Sequence, residues 1–337
     1  MTLKQFNLCL LGFGNVGRAL VELLLVKRAE MRQRYGIEWR ITGVATRRLG
    51  WLAQPEGFDE GELLSGELAP RLSKPTNVGD WLAASRADVL FEMTSLNLHT
   101  GEPAISHVRA ALEMRAHVVT ANKGTLVYAY DELSRLAKKQ GRLFRFEATA
   151  AHCLPVFSLF RENLPAVGLL GFSGILNSTT NIILEKMEEG RTLSEAVRHA
   201  QELGITETDP SYDIDGFDAA VKVCAIANVL MGAQMTLADV SCVGIRELNV
   251  GVVQRARSEG RPFKLVAKAH RAATGRVIGS VGPEQVALSH AFATISGSSL
   301  IVHFELDVLP GLSLIAHRPA LQSTAYGLLA DFISAVL

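Results

Sequence analysis

The run Gly12-Phe13-Gly14-Asn15-Val16-Gly17 constrains this chain more than any other feature of its sequence. It has the form GxGxxG, which on its own is weak. Its context strengthens it: Phe6 to Leu11 is a short apolar run that predicts a strand, and Val16 to about Arg34 carries apolar residues at helical spacing. A strand leading through glycines into a helix is the setting in which this motif binds a dinucleotide. Gly12 makes the tight turn, Gly14 lets the backbone approach a pyrophosphate, and Gly17 lets helix and strand pack closely. The free N–H groups of the helix start then face the phosphates. The competing reading is a glycine-rich turn without a ligand.

The pattern continues in the same style. Strands are predicted at Trp39 to Ala45, Asp88 to Met93, His117 to Ala121 and Leu143 to Ala148, with helices at Pro103 to Met114 and Asp131 to Gln140. Residues 47–79, rich in glycine, proline and charge, are expected to be irregular. Alternating strand and helix argues for a parallel sheet with crossover helices, a Rossmann-type doubly wound α/β domain. After about residue 150 the character changes to a mixed α+β pattern. A strand at Val167 to Leu176 is followed by helices near 179–189, 194–203 and 217–231. Beta-rich stretches follow at Phe263 to His270, Arg276 to Val281 and Leu300 to Val308, and a last amphipathic helix runs from Thr324 to Val336. A chain of 337 residues suits two domains. The expected division is 1–140 for the dinucleotide, 141–310 for a catalytic and dimerisation domain, and 311–337 for a segment returning to the first.

Several classes are excluded. Lysine plus arginine equals aspartate plus glutamate at 34 each, so no net field favours nucleic acid or an anionic membrane. No apolar run approaches the roughly 20 residues of a membrane span. Cys9, Cys153, Cys224 and Cys242 lie far apart with no zinc spacing, and the N-terminus enters a strand directly without a signal-peptide pattern. A reduced, cytoplasmic location is expected.

The second predicted strand ends Ala45-Thr46-Arg47-Arg48. An acid there would bind the ribose 2′-hydroxyl of NAD. Two arginines instead suit a 2′-phosphate, hence NADP, unless they are merely solvated. Gly216 to Met231 is apolar nearly all round, so it predicts a buried helix, yet it carries Asp218 and Lys222 four residues apart on one face. A lysine on such a helix must be paired or face a cavity, where it can move a proton. Most i,i+4 pairs are surface decoration, which is the reading to beat. Glu207, Asp209, Asp213 and Asp215 precede this helix. Asp213 and Asp215 can simply favour its N-terminus. Glu207 is too distant for that, and such a cluster would bind a substrate ammonium. Lys123, in Thr120-Ala121-Asn122-Lys123-Gly124, follows a predicted strand of the parallel sheet, as do Thr94 and Ser95. Ligands of such sheets sit beyond the strands' carboxyl ends. The alternative for Lys123 is a solvated loop residue. The cofactor-binding set is therefore Gly12, Gly14, Asn15, Val16, Gly17, Arg47, Arg48, Thr94, Ser95 and Lys123.

Taken together, GFGNVG at 12–17, TANKG at 120–124, FEAT at 146–149, GILNSTTNIIL at 174–184 and ELGITETDPSYDIDGFDAAVK at 202–222 make the chain resemble the homoserine dehydrogenases. The resemblance implies a nucleotide domain, a catalytic domain with a dimerisation sheet, and a homodimer. It implies NAD(P)-dependent interconversion of L-aspartate 4-semialdehyde and L-homoserine, an amino acid, within threonine and methionine biosynthesis. It assigns Lys222 as acid/base, Lys123 as its partner, and Glu207, Asp213 and Asp218 to the substrate. It also implies a monovalent cation such as sodium at Glu147 and the carbonyls of Ala150, His152 and Leu154. The regulatory domain that many members carry is expected to be absent here.

The chain departs from the family where glycines are usual: at Ala150-Ala151-His152-Cys153-Leu154-Pro155, at Ser178, and at His317-Arg318-Pro319-Ala320-Leu321. His152 and Cys153 are too few to make a zinc site. These changes keep two rivals in play: a reductase of another small amino or oxo acid, and a non-catalytic nucleotide-binding relative.

Overall fold

The structure is a computed structural model that describes residues 2–66, 75–202 and 209–337. It divides into two compact units, one of Met1–Cys153 with Leu321–Leu337 and one of Leu154–Ala320.

In the first unit, strands β1 (Lys4–Leu11), β2 (Ile37–Thr46), β3 (Gly50–Ala53), β4 (Val89–Glu92), β5 (His117–Thr120) and β6 (Phe144–Arg145) form one sheet in the order β3-β2-β1-β4-β5-β6. Neighbours from β2 through β6 pair parallel, while β3 pairs antiparallel with β2. The reversal has a simple cause. β2 ends at Thr46 and β3 begins at Gly50, far short of the dozen or so residues a parallel crossover needs. The sheet centre is apolar on both faces: Leu8, Leu10, Val89, Phe91 and Val119 on one and Cys9, Leu90 and Val118 on the other are fully buried, as expected where helices cover both sides. One covering helix is Asn15–Glu30, which buries Leu20, Val21 and Leu24. Another is the C-terminal helix Leu321–Val336, whose buried Phe332 meets Phe6 and Phe91 edge-on with centroids 6.1 and 5.7 Å apart. Burying such a ring contributes about 1.5–3 kcal/mol.

The structure corrects three expectations in this unit. The first helix does not run to Arg34 as one α-helix: it ends at Glu30, and Met31–Tyr35 forms a π-turn closed by Gly36 at φ +68°. The stretch at 47–79 is not irregular throughout, since it holds β3 and the helices Glu60–Ser65 and Val78–Ala84. Each of these helices is too short to show helical periodicity, but Asp59 and Asn77 cap them, accepting from Glu62 N and Asp80 N. The strand expected at Leu143 to Ala148 shrinks to two residues and tightens into a 3₁₀ turn at Glu147–Thr149.

In the second unit, β7 (Leu169–Ile175), β8 (Val240–Cys242), β9 (Phe263–Arg271), β10 (Val277–Gln285), β11 (Leu300–Leu306) and β12 (Leu312–Ala316) form a mixed sheet in the order β12-β11-β7-β9-β10-β8. Its helices include Ser178–Glu188, Leu193–Glu202 and Phe217–Met231. The last buries residues on all sides, from Ala219 to Met231.

Candidate active site

In the first unit the carboxyl ends of β1, β2 and β4 open into a cleft of about 520 Å³, lined among others by Gly12, Gly14, Thr46, Arg47, Trp51, Met93, Thr94, Ser95, Pro103 and His107. Its glycines have separate physical tasks. Gly12 has φ +93°, and a Cβ there would lie 2.5 Å from Met93 O. The turn therefore excludes any side chain at this position. A Cβ on Gly17 would come within 2.9 Å of Gly12 O, so this glycine closes the helix onto the turn. Gly14 is different: a Cβ there would meet nothing within 4 Å, so its backbone faces open space. Gly14 also precedes the Asn15–Glu30 helix, whose first turn has neither a side-chain cap nor an acid. Its N–H groups and positive end remain available to an anion. This cradle fits a dinucleotide pyrophosphate.

Of the remaining cofactor residues expected from sequence, Arg47, Thr94 and Ser95 line the cleft, whereas Arg48 is exposed and stands outside its lining. Asn15 and Val16 open the helix. Lys123 immediately precedes the Gly124–Tyr128 helix in the same unit and is partly buried. The aromatic wall went unforeseen in the sequence: Trp51 packs edge-on against His107 with centroids 5.9 Å apart. Both belong to segments whose meeting depends on the β3 hairpin.

The second unit holds the acid/base cluster. Lys222 and Asp218, on successive turns of the Phe217–Met231 helix, form an ion pair at 2.7 Å, with side chains only 13% and 12% exposed. Lys222 Nζ also donates to Leu176 O at 2.5 Å. Two of the three ammonium donors are thus engaged. Asn177 ties the cluster to a second helix. Its Oδ1 accepts from Thr180 N at 2.8 Å as an N-cap, and its Nδ2 donates to Asp213 Oδ1 at 2.6 Å and Asp218 Oδ2 at 2.9 Å. Burial raises the Asp213 carboxyl above its ordinary value, as does nearby Asp218, against hydrogen bonding from Asn177 and attraction to Lys222. The expected buried lysine–aspartate pair is therefore present, with Asp213 joined to it. Asp215 is turned to another task, a two-pronged pair with Arg246 at 2.7 and 2.9 Å. Glu207 lies outside the described residues. Asn177 was not singled out from sequence, although an asparagine just before a helical run is a capping signal.

The turn at 150–154 carries a non-glycine residue in the left-handed region. His152 has φ +57°, and its Nδ1 lies 2.8 Å from Thr324 Oγ1. Glu147 is buried, and its N–H donates to Asp331 Oδ2 at 2.6 Å. Among the described residues no group of three or more His, Cys, Asp or Glu side chains is arranged to hold a metal. Likewise, no described helix is long and apolar enough to cross a membrane.

A mostly parallel sheet with a glycine cradle at its carboxyl edge is a dinucleotide-binding arrangement, and the family matches make the class a nicotinamide-dependent oxidoreductase. Family models give the same class in finer detail: "Homoserine dehydrogenase, NAD binding domain" matches residues 12–147 and "Homoserine dehydrogenase" matches residues 155–333. The chain belongs to the homoserine dehydrogenase family, the enzymes that interconvert L-homoserine and L-aspartate 4-semialdehyde. It is 35% identical to an NAD(+)-dependent homoserine dehydrogenase of Pseudomonas canavaninivorans, over 98% of this chain and 96% of the relative. It is 33% identical to a homoserine dehydrogenase of Methanocaldococcus jannaschii, over 97% of each. Among solved structures, a homoserine dehydrogenase of Thiobacillus denitrificans superposes with TM-score 0.84 at 29% identity, over 99% of this chain and 74% of that one. A hyperthermophilic archaeal homoserine dehydrogenase mutant in complex with NADPH superposes with TM-score 0.81 at 27% identity, over 98% of each.

Proposed function

We propose that this member of the homoserine dehydrogenase family performs its proton transfer through Lys222, held by Asp218, with Lys123 as a second active-site cation. Glu207, Asp213 and Asp218 receive the substrate ammonium. The observation that carries the reading is the hydrogen-bonded chain Asp213–Asn177–Asp218–Lys222, whose lysine end also donates to Leu176 O. A nicotinamide, when bound, supplies or accepts the hydride at the substrate carbon. The lysine ammonium gives a proton to the oxygen that becomes the hydroxyl, and takes it back in the reverse direction. An ammonium with two donors tied to fixed acceptors is aimed before substrate arrives, so no reorganisation is needed during reaction. Absorbance at 340 nm with L-homoserine and either dinucleotide, with wild type beside Lys222→Ala, tests the assignment.

We infer NADP as the preferred cofactor. Thr46 ends β2 with no acid, and Arg47 lines the cleft beside it. Arg47→Ser should lower the ratio of kcat/KM for NADP over NAD about tenfold, by loss of a charge-assisted contact to phosphate. An unchanged ratio would assign Arg47 to solvent.

A monovalent cation at Glu147 and the carbonyls of Ala150, His152 and Leu154 belongs to the same proposal. It is supported by the left-handed turn at His152. Equal activity in sodium and tetramethylammonium chloride would remove it. A homodimer is proposed because one face of the second sheet exposes His270, Ile278, Glu305, Ser313 and Ile315. Ile278→Lys should halve the mass measured by light scattering. A cytoplasmic location accords with four unpaired cysteines.

A further inference from the structure

Glu92 is the last residue of β4 and is completely buried. An ionised carboxylate in such a place is costly unless donors surround it. Here they do. One carboxylate oxygen accepts from the Thr94 backbone N–H at 3.2 Å and from the Thr94 hydroxyl. The other accepts from Thr120 Oγ1 at 3.3 Å. The His107 ring lies beside it, with Nδ1 3.9 Å from a carboxyl oxygen.

The donors come from the Met93–Ser95 loop, which lines the crevice, and from the end of β5, whose following turn carries Lys123. Thr94 lines the dinucleotide cleft with its neighbours Met93 and Ser95, and His107 lines it too. Thr120 ends β5 and accepts from Asn122 N at 2.9 Å. Asn122 in turn donates to Thr94 O at 3.1 Å and accepts from Gly124 N at 3.0 Å, on either side of Lys123. The Glu92 main chain adds to this, accepting from Ala121 N at 3.0 Å. Met93 O also lies against Gly12, where a Cβ would come within 2.5 Å. The glycine turn, the Met93–Ser95 loop and the Thr120–Gly124 loop are thus held around one buried carboxyl group.

We propose that Glu92 is a positioning residue of the cofactor crevice, its carboxylate fixing the Met93–Ser95 and Thr120–Lys123 loops in the geometry that binds the dinucleotide. Its neighbours explain why a carboxylate is needed. Three donors converge, and a carboxylate accepts from all of them while presenting no hydrogen of its own. An amide of the same shape keeps one acceptor oxygen; its NH₂ group must face the Thr94 N–H, which cannot accept it, or the Thr120 hydroxyl, which must then reverse and turn its hydrogen to the Glu92 carbonyl 3.2 Å away.

The inference rests on the cleft being the dinucleotide site, so Gly14→Val serves as its control. Calorimetry with NADP and NAD, and steady-state kinetics, would compare wild type, Glu92→Gln and Thr120→Val in the full-length protein. Glu92→Gln should weaken cofactor binding about tenfold, and Thr120→Val, which removes one donor, a few-fold, each leaving the homoserine KM within about twofold. A merely structural loss would lower the active fraction, and hence kcat, while leaving the cofactor Kd unchanged. Wild-type cofactor Kd in both variants, with Gly14→Val unable to bind, would overturn the role of Glu92 alone. Wild-type binding by Gly14→Val would overturn the crevice assignment first. If Glu92→Gln fails to fold, Thr120→Val decides, since valine keeps the shape of threonine within a strand.

Discussion

Lys222→Ala should lower kcat by about 10²–10⁴-fold, the range for removing a general acid or base, while cofactor affinity stays at the wild-type value. The first expectation follows from the chemistry: without the ammonium, the oxygen that gains negative charge has no proton donor fixed beside it. The second follows from the architecture, because the glycine cradle belongs to a unit that Lys222 does not. Turnover at a wild-type rate would remove Lys222 from the reaction. A companion measurement separates chemistry from folding. Asp218 lies close enough to disfavour ionisation of Asp213, and Lys222 offsets this. The native pKa of Asp213 is raised, so its protonated form is favoured in the fold and stability falls as pH rises through that window. Removing Lys222 enlarges the effect. Lys222→Ala should therefore melt lower than wild type by a wider margin at pH 8 than at pH 5. Asp213→Asn in the same background should narrow it.

Much of this was readable from residue order, for identifiable reasons. The motif at 12–17 is local: strand, turn and helix adjoin in sequence, so three glycines and their flanks define a cradle that the fold only has to keep. The Phe217–Met231 helix was legible because burial made its charges conspicuous. A lysine on a helix that buries nearly every face must have a partner, and the i,i+4 spacing named Asp218. What sequence could not supply was long-range convergence. Asn177 reaches Asp213 and Asp218 across 36 and 41 residues, and nothing in its neighbours announces that.

Glu92 is the instructive case. It is the acid closing an apolar strand, VLFE, and so carried a faint signal. Its meaning depends on Thr120, 28 residues onward and brought beside it by the parallel pairing of β4 with β5. The altered loop at 150–154 teaches the converse. A histidine where glycine is usual suggests a changed turn, yet His152 adopts φ +57°. Histidine is among the residue types enriched in the left-handed region, and the Thr324 hydroxyl is there to meet its ring.

Gly14→Val is expected to abolish cofactor binding, by about a hundredfold or more, without lowering the melting temperature. The two halves of that prediction have separate causes. Gly14 has φ −89°, outside the left-handed region, and a Cβ added there meets nothing within 4 Å. The added Cβ therefore brings no clash to the free protein. The space the new side chain fills is the open face of the backbone, where a pyrophosphate must approach the N–H groups of the helix start. Gly12→Val should behave differently although it lies two residues away. Its left-handed backbone at φ +93° disfavours valine, and its Cβ would come within 2.5 Å of Met93 O. That variant should lose binding and stability together, with a strain of at least about 1–2 kcal/mol. Calorimetry for the cofactor and thermal unfolding for the fold distinguish the pair. A Gly14→Val protein that binds NADP normally would show that the dinucleotide lies elsewhere. One that unfolds early would show that Gly14 serves packing, and only the combination of intact fold and lost binding assigns it to the ligand.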